Sequence, residues 1–205
     1  MGRIEQLLKD LCPQGAPIMR LGQIGTFTRG NGLQKKDFVD SGVGCIHYGQ
    51  VFTYYGTYTY STKSFVRPEL ATRLKRAKTG DLIIATTSEN DEDVCKAVAW
   101  LGEGEIAISG DAYIFSHNQN PKYIAYLFQT QSFQEQKKKL ITGTKVKRVS
   151  GDAMAKLMFP MPPYPVQEAI VEAMDAISLL KENLKQELDN REVQYKFLLE
   201  TLYSL

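Results

Sequence analysis

Beyond residue 165, apolar side chains recur at alternating spacings of four and three. Ile170, Ile177, Leu184, Arg191 and Leu198 share one heptad register, and Met174, Lys181, Leu188, Tyr195 and Leu202 its companion; eight of these ten positions are apolar or aromatic. The spacing predicts a long helix bearing a stripe for another helix. Pro165 suits its first turn, where a missing N–H has no intrahelical partner, and Glu168 and Glu172 favour the positive end of the helix dipole. At a rise of 1.5 Å per residue, positions 166–205 extend roughly 60 Å, longer than a domain of this size is wide. Lys181 and Arg191 interrupt the stripe, as a pairing that fixes one register tolerates. Val171, Leu180, Phe197 and Leu199 widen it, so more than one partner surface is expected. The plainer alternative is an amphipathic helix folded back onto its own domain.

Upstream, the pattern changes. Ile4, Leu7, Leu8 and Leu11 fall on one helical face, and Pro13 and Gly15 should stop that helix. Residues 24–28, 45–50 and 51–60 read as strands rich in Tyr, Thr and Val, with a turn at Gly30-Asn31-Gly32. Residues 68–78 read as a short basic helix or turn. Residues 82–85 are a buried strand entered through Gly80-Asp81, residues 94–101 another, and residues 106–108 and 112–115 a pair divided by Ser109-Gly110-Asp111. Residues 123–130 are helical in pattern, and a polar, basic segment precedes 153–159. The expected fold class is α+β: a mixed, β-rich domain over residues 1–160, then one long α-helix over residues 161–205 that forms a coiled coil. There is no internal repeat.

Charge is divided along the chain. The overall excess is only +2, from 25 Lys and Arg against 23 Asp and Glu. Residues 1–165 carry 21 basic and 15 acidic side chains, while residues 166–205 carry 4 and 8, so a basic front precedes an acidic helix. A basic front suits a polyanion; an acidic helix of that length suits protein partners. No signal peptide or apolar run of membrane-spanning length is visible, and a soluble, cytoplasmic protein is expected. Cys12, Cys45 and Cys95 are scattered without Cys-x-x-Cys spacing, and His47 and His117 are the only histidines. This argues against a disulfide framework or zinc site and for three small buried hydrophobes.

Motifs for catalysis are weak. Pro162-Pro163-Tyr164 resembles part of the amino-methyltransferase motif, but Met161 stands where that motif needs Asp or Asn to hold the target amine. Gly22, Gly25, Gly30 and Gly32 do not reproduce a dinucleotide fingerprint, and no Walker lysine is present. Glu89, Asp91, Glu92 and Asp93 read as a solvated loop rather than a metal site. Ser88, Ser109 and Ser150 lack a nucleophile-elbow context. No cofactor, metal or catalytic residue is assigned.

Basic clusters are more coherent. Lys137, Lys138, Lys139, Lys145, Lys147 and Arg148 place six charges within twelve residues, around the turn-prone Thr142-Gly143-Thr144. Arg67, Arg73, Lys75, Arg76 and Lys78 form a second cluster, and Arg29, Lys35 and Lys36 a third around the Gly-Asn-Gly turn. Turns with long basic side chains can enter a DNA groove, where Arg or Lys reads guanine and Asn or Gln reads adenine; Asn31 and Gln34 are candidates for the latter.

Particular residues then carry a family likeness. Gly143-Thr144-Lys145-Val146-Lys147-Arg148-Val149, Leu157-Met158-Phe159-Pro160-Met161-Pro162-Pro163, Gln167, Ile170-Val171 and Arg191-Glu192-Val193-Gln194-Tyr195 closely resemble the specificity (S) subunits of type I restriction-modification systems. The opening Ile4-Glu5-Gln6-Leu7, Leu11-Cys12-Pro13 and Gly80-Asp81-Leu82-Ile83 look like the same family. The resemblance implies a target recognition domain that reads half of a split DNA sequence, and a spacer helix that docks methyltransferase (M) subunits. It also implies that S-adenosylmethionine and adenine methylation belong to M, and ATP-driven translocation and cleavage to R. Members usually carry two such domains and two helices, whereas this chain has one of each. It resembles a half subunit, or a fragment, that would regain the full arrangement as a two-fold homodimer with antiparallel helices.

The expectation is therefore a non-catalytic reader of duplex DNA that directs M, and through M the R subunits, to a bipartite, palindromic site. Arg29, Lys35, Lys36, Lys145, Lys147 and Arg148 should meet DNA, with Tyr48, Thr87 and Ser88 near it. Ile170, Met174, Ile177, Leu184, Leu188, Tyr195, Leu198 and Leu202 should form the dimer and partner helix. The competing classes are a stand-alone DNA-modifying or DNA-cleaving enzyme and a coiled-coil interaction scaffold.

Overall fold

The computed structural model describes residues 2–203; the last two positions of the expected long helix, 204 and 205, lie outside the described residues. Two five-stranded sheets are stacked face to face. The first runs Gly25–Arg29, Ala112–His117, Leu82–Ala85, Lys96–Trp100, Tyr58–Thr59, antiparallel except at the last pair. The second runs Phe38–Val39, Ser64–Val66, Val43–Ile46, Ile106–Ile108, Arg76–Ala77, with a parallel pair between Val43–Ile46 and Ile106–Ile108.

Strand alternation sorts the core into layers. Leu82 and Ile84, with Ala97, Ala99 and Phe115, face a cluster built with the helix Pro121–Leu127, Phe133 and Phe159. Their neighbours Ile83, Ala85, Val98, Trp100 and Ile114 point the other way, against Ile46, Ile106 and Ile108 of the second sheet. Cys45, Val66 and Ala107 close the far side with Leu33, Ala71 and Leu74. Leu82–Ala85 is therefore buried on both faces, which is why its sequence is an unbroken apolar run. All three cysteines are buried and free, and burial pushes the Cys45 and Cys95 thiols up to about 12.

The structure corrects the reading of residues 45–60 as strand. The strand ends at Ile46, and Tyr48–Thr53 is a helix, with strand pairing resumed only at Tyr58–Thr59. A reciprocal cap decides it: His47 Nδ1 accepts the Gly49 N–H at 3.2 Å, and Gln50 Oε1 accepts the His47 N–H at 3.0 Å. Residues 68–78 likewise divide into a helical turn, Pro68–Ala71, and an edge strand, Arg76–Ala77.

The N-terminal helix, Arg3–Leu11, packs on the root of the long C-terminal helix, Tyr164–Tyr203, and Arg3 forms an ion pair with Glu172 there. Ile18–Arg20 pairs with Met158–Pro160, and the Met161 N–H donates to Pro17 O at 2.8 Å. The segment that launches the long helix is thus stitched to the start of the chain. No helix among the described residues is long and apolar enough to cross a membrane.

Candidate nucleic-acid interface

Two dipeptides nearly sixty residues apart make a ribbon. Thr87–Ser88 pairs antiparallel with Lys147–Arg148, placing Lys147 opposite Ser88 and Arg148 opposite Thr87. Between them and the preceding helix the chain doubles back: Thr142 and Arg148 exchange backbone N–H···O bonds, both of 2.9 Å. Gly143 adopts φ +87°, and a Cβ there would collide with the Val146 carbonyl oxygen, so the turn depends on glycine. The loop projects with Thr144 and Lys145 exposed at its tip, while buried Val149 secures its base through a 3.3 Å bond to Thr86 O.

Asp111 joins this ribbon to a second group. Its main-chain oxygen accepts the Thr86 N–H, its carboxylate accepts the Thr87 hydroxyl at 3.3 Å, and the same Oδ1 lies 3.7 Å from the Arg29 guanidinium. Arg29 Nε donates to Gly110 O at 2.8 Å. Arg29, Gln34, Lys35, His47, Tyr48 and Asp111 line an open cleft of about 570 Å³. Tyr48 is fixed by its N–H donating to Ser109 Oγ at 2.8 Å. Burial lowers the His47 pKa, Lys35 pushes the same way, and Asp111 opposes.

The structure thus gathers Arg29, Lys35 and Tyr48 in one cleft and Thr87, Ser88, Lys147 and Arg148 in one ribbon, with Lys145 at the loop tip. Lys36 stands apart, lining a separate cleft with Arg67, Glu69 and Arg73. Lys147 is half-buried, 3.4 Å from Asp91.

Two expectations are overturned here. Lys137 does not belong to a flexible basic loop; it lies on the helix Gln131–Lys138 and is 1 % exposed, its Nζ donating to Glu92 O at 2.9 Å. Burial lowers its pKa, against the pull of Cys95 and the neighbouring carboxylates. It anchors the acidic loop from inside and is not available to a phosphate. Asn31 is equally committed: its side chain donates to Arg73 O at 3.0 Å and accepts the Lys75 N–H at 2.6 Å, so it braces two loops and cannot read adenine.

The long helix is fixed at its root and uncovered beyond. Gln167 is fully buried; its amide donates to Gln119 Oε1 and Pro162 O and accepts the Asn120 N–H. This is the physical content of the Pro-Pro-x-x-x-Gln spacing. Ile170, counted with the heptad stripe, packs on the domain's own core, as does Val171. From Ile177 onward the stripe is exposed, reaching 57 % at Leu184 and 68 % at Leu202. The helix therefore does not fold back onto its domain.

A profile of the family described as "Type I restriction modification DNA specificity domain" matches residues 13–190, which takes in both sheets, the ribbon, the cleft and more than half of the long helix. The chain belongs to this family. No curated protein matches the sequence significantly. Among solved structures, a type I restriction-modification S subunit from M. genitalium superposes with a TM-score of 0.54 at 12% identity, over 83% of this chain and 41% of that one. The HsdS subunit from Thermoanaerobacter tengcongensis gives 0.57 at 16% identity, over 89% and 44%. A chain from a study of complex assembly and conformational transition in the type I R-M system gives 0.64 at 16% identity, over 91% and 44%. The α+β arrangement of mixed sheets and long C-terminal helix is thus the fold of specificity subunits, and this chain spans less than half the length of those subunits.

Asp111 and Gln167 show what residue patterns conceal within a specificity domain. Asp111 looked like one more turn residue, and its partners, Arg29 and Thr87, are remote in sequence. Gln167 carried a motif, but only the fold shows that it fastens the helix to the start of Pro121–Leu127.

Proposed function

We propose that this chain is the DNA-reading component of a type I restriction-modification complex, acting in the cytoplasm and performing no chemistry itself. Residues 1–160 serve as the target recognition domain, and residues 161–205 as the element for dimerisation, spacing and methyltransferase docking. Lys145 at the loop tip, Lys147 and Arg148 on the ribbon, and Lys35 and Lys36 beside their clefts supply cations for phosphates; Arg29, Tyr48, Thr87 and Ser88 lie close to the bases. The long helices of two copies pair antiparallel through Met174, Ile177, Leu184, Leu188, Tyr195, Leu198 and Leu202, with Ile170 at the edge of the seam. M subunits, and R subunits through them, bind the assembled pair.

The observation that carries this reading is the uncovered stripe. A row of aliphatic and aromatic side chains about 30 residues long stays in water in the single chain, at a cost that pairing would remove. A two-fold pair presents the same recognition domain twice, so the target is an inverted repeat with an unread spacer. The helix, 40 residues or ~60 Å long, exceeds one DNA turn of about 34–36 Å.

Methylome sequencing of a host expressing this chain with its cognate M subunits tests the reading. A bipartite, palindromic adenine motif that disappears when the chain is omitted is the expected result. Methylation without a motif, or DNA cleavage by the purified chain alone, would overturn it.

A further inference from the structure

Arg29 differs from the other candidate cations in how firmly it is held. It ends the strand Gly25–Arg29, opposite Tyr113 of Ala112–His117. The Gly30 N–H donates to Ala112 O at 2.9 Å and the Asn31 N–H to Ile108 O at 3.3 Å. A Cβ at Gly30 would collide with the Ile108 and Ser109 carbonyl oxygens, so the loop after Arg29 lies backbone against backbone on the turn that carries Gly110 and Asp111. Side chain and partners are therefore parts of one rigid unit.

The chemistry of the holding is selective. Gly110 O takes the Nε–H and Asp111 approaches one terminal nitrogen, which leaves N–H bonds on both terminal nitrogens for a ligand. Asp111 offsets the guanidinium charge and repels a phosphate. An uncharged base edge suffers no such repulsion. Lys35, Lys36, Lys145 and Arg148 have no carboxylate within ion-pair distance among the described residues, as suits phosphate contacts. Lys147 does have one, but its ammonium is a point charge without a fork. The Arg29 side chain is 62% exposed and borders the open cleft, so a base edge can reach it.

We propose that Arg29 reads guanine, donating a pair of hydrogen bonds to O6 and N7 in the major groove, with Asp111 and Gly110 as its positioning residues. This rests on the DNA-recognition reading above and adds one base to it.

The test uses the chain together with its M subunits, a pool of DNA duplexes randomised in sequence and read out after selection, and affinity measured across a salt series. Wild-type protein should select a motif with a guanine in each half-site. Arg29→Lys, which keeps the charge but loses the fork, should lose that guanine preference by roughly 5- to 150-fold while the remaining motif persists. Asp111→Asn, which retains an acceptor for Thr87, should relax the same position and bind random duplex more tightly, a gain that damaged folding would not produce. Lys145→Ala should weaken all sequences alike and lower the salt slope, by about 0.9 for each phosphate it no longer neutralises.

An intact motif in Arg29→Lys would overturn the assignment while leaving the recognition function standing. So would a uniform loss like that of Lys145→Ala. Asp111→Asn with the motif unchanged would remove Asp111 from the role. Absence of any motif for the wild type would sink the recognition reading itself, and the guanine assignment with it.

Discussion

Lys122 grips Asp175 across the junction between the short helix Pro121–Leu127 and the long one, its Nζ 2.7 Å from Oδ2. The other carboxylate oxygen accepts the Tyr126 hydroxyl at 2.7 Å, and the ammonium also sits 3.8 Å from the centre of the Tyr58 ring. Two residues later the heptad stripe enters solvent, so Asp175 is among the last side chains tying the helix to the domain. Asp175→Ala should cost about 1–3 kcal/mol, because two part-buried donors lose a charged acceptor. Hydrogen exchange around residues 168–178 should quicken, and unchanged protection there would show that the interaction holds nothing.

Gln167 should be less forgiving. Its amide makes three hydrogen bonds at zero exposure, and Gln167→Ala leaves the Asn120 N–H and two oxygens without partners. A loss of about 2–4 kcal/mol is expected in denaturant melts. Gln167→Glu should be at least as damaging, since it turns an amide donor toward two acceptors into a carboxylate. A melt indistinguishable from wild type in either variant would refute this anchoring role.

Dimer formation is tested at Leu184 and Leu188, which are 57 % and 60 % exposed. Wild-type protein should scatter light as a dimer at micromolar concentration, and Leu184→Asp with Leu188→Asp should scatter as a monomer. The domain's melting temperature should stay within a degree or two once concentration dependence is removed. A wild-type monomer would rule out pairing through the stripe.

Acid should weaken the fold through His117. Burial holds its pKa down to about 4; its Nδ1 accepts the Gln119 N–H at 3.2 Å, a bond only the unprotonated nitrogen can make, and its Nε2 is buried without a hydrogen-bond partner among the described residues. The folded state favours the neutral ring, so the unfolded chain takes up the proton first. The contribution is complete above about pH 6.5 and is lost as pH falls toward 4, by roughly 3 kcal/mol. His47, lowered by burial, acts in the same direction. His117→Phe should flatten the decline of the urea midpoint between pH 7 and 4.5; an equally steep decline would place the effect elsewhere.

What the sequence disclosed follows the range of the interactions. The stripe from Ile177 to Leu202 was legible because a helix repeats locally, and the run Leu82–Ala85 because burial on both faces leaves no polar position. Tyr48–Thr53 reads as strand in the sequence because Tyr, Val, Phe and Thr favour strands, while a cap between His47 and Gln50 outweighs that preference. Lys137 misled for a different reason: a lysine in a basic run is expected in water, and only packing against Phe133, 5.7 Å from its ring centre, and Glu92 reveals otherwise. The pairing of Thr87 with Arg148 and the reach of Asp111 to Arg29 depend on approaches across the fold, which no local pattern encodes.

The tight seat of Gly30 against the carbonyls of Ile108 and Ser109 bears on how such a domain diversifies. A loop that cannot lengthen or shift without breaking that seat has little freedom to explore new backbone shapes. If the cleft reads bases as proposed, new DNA targets are reached most readily by exchanging side chains on an unchanged frame, at positions such as 29 and 34. On the proposed paired arrangement, a lineage could change its target in single mutational steps while inheriting the spacing between half-sites intact.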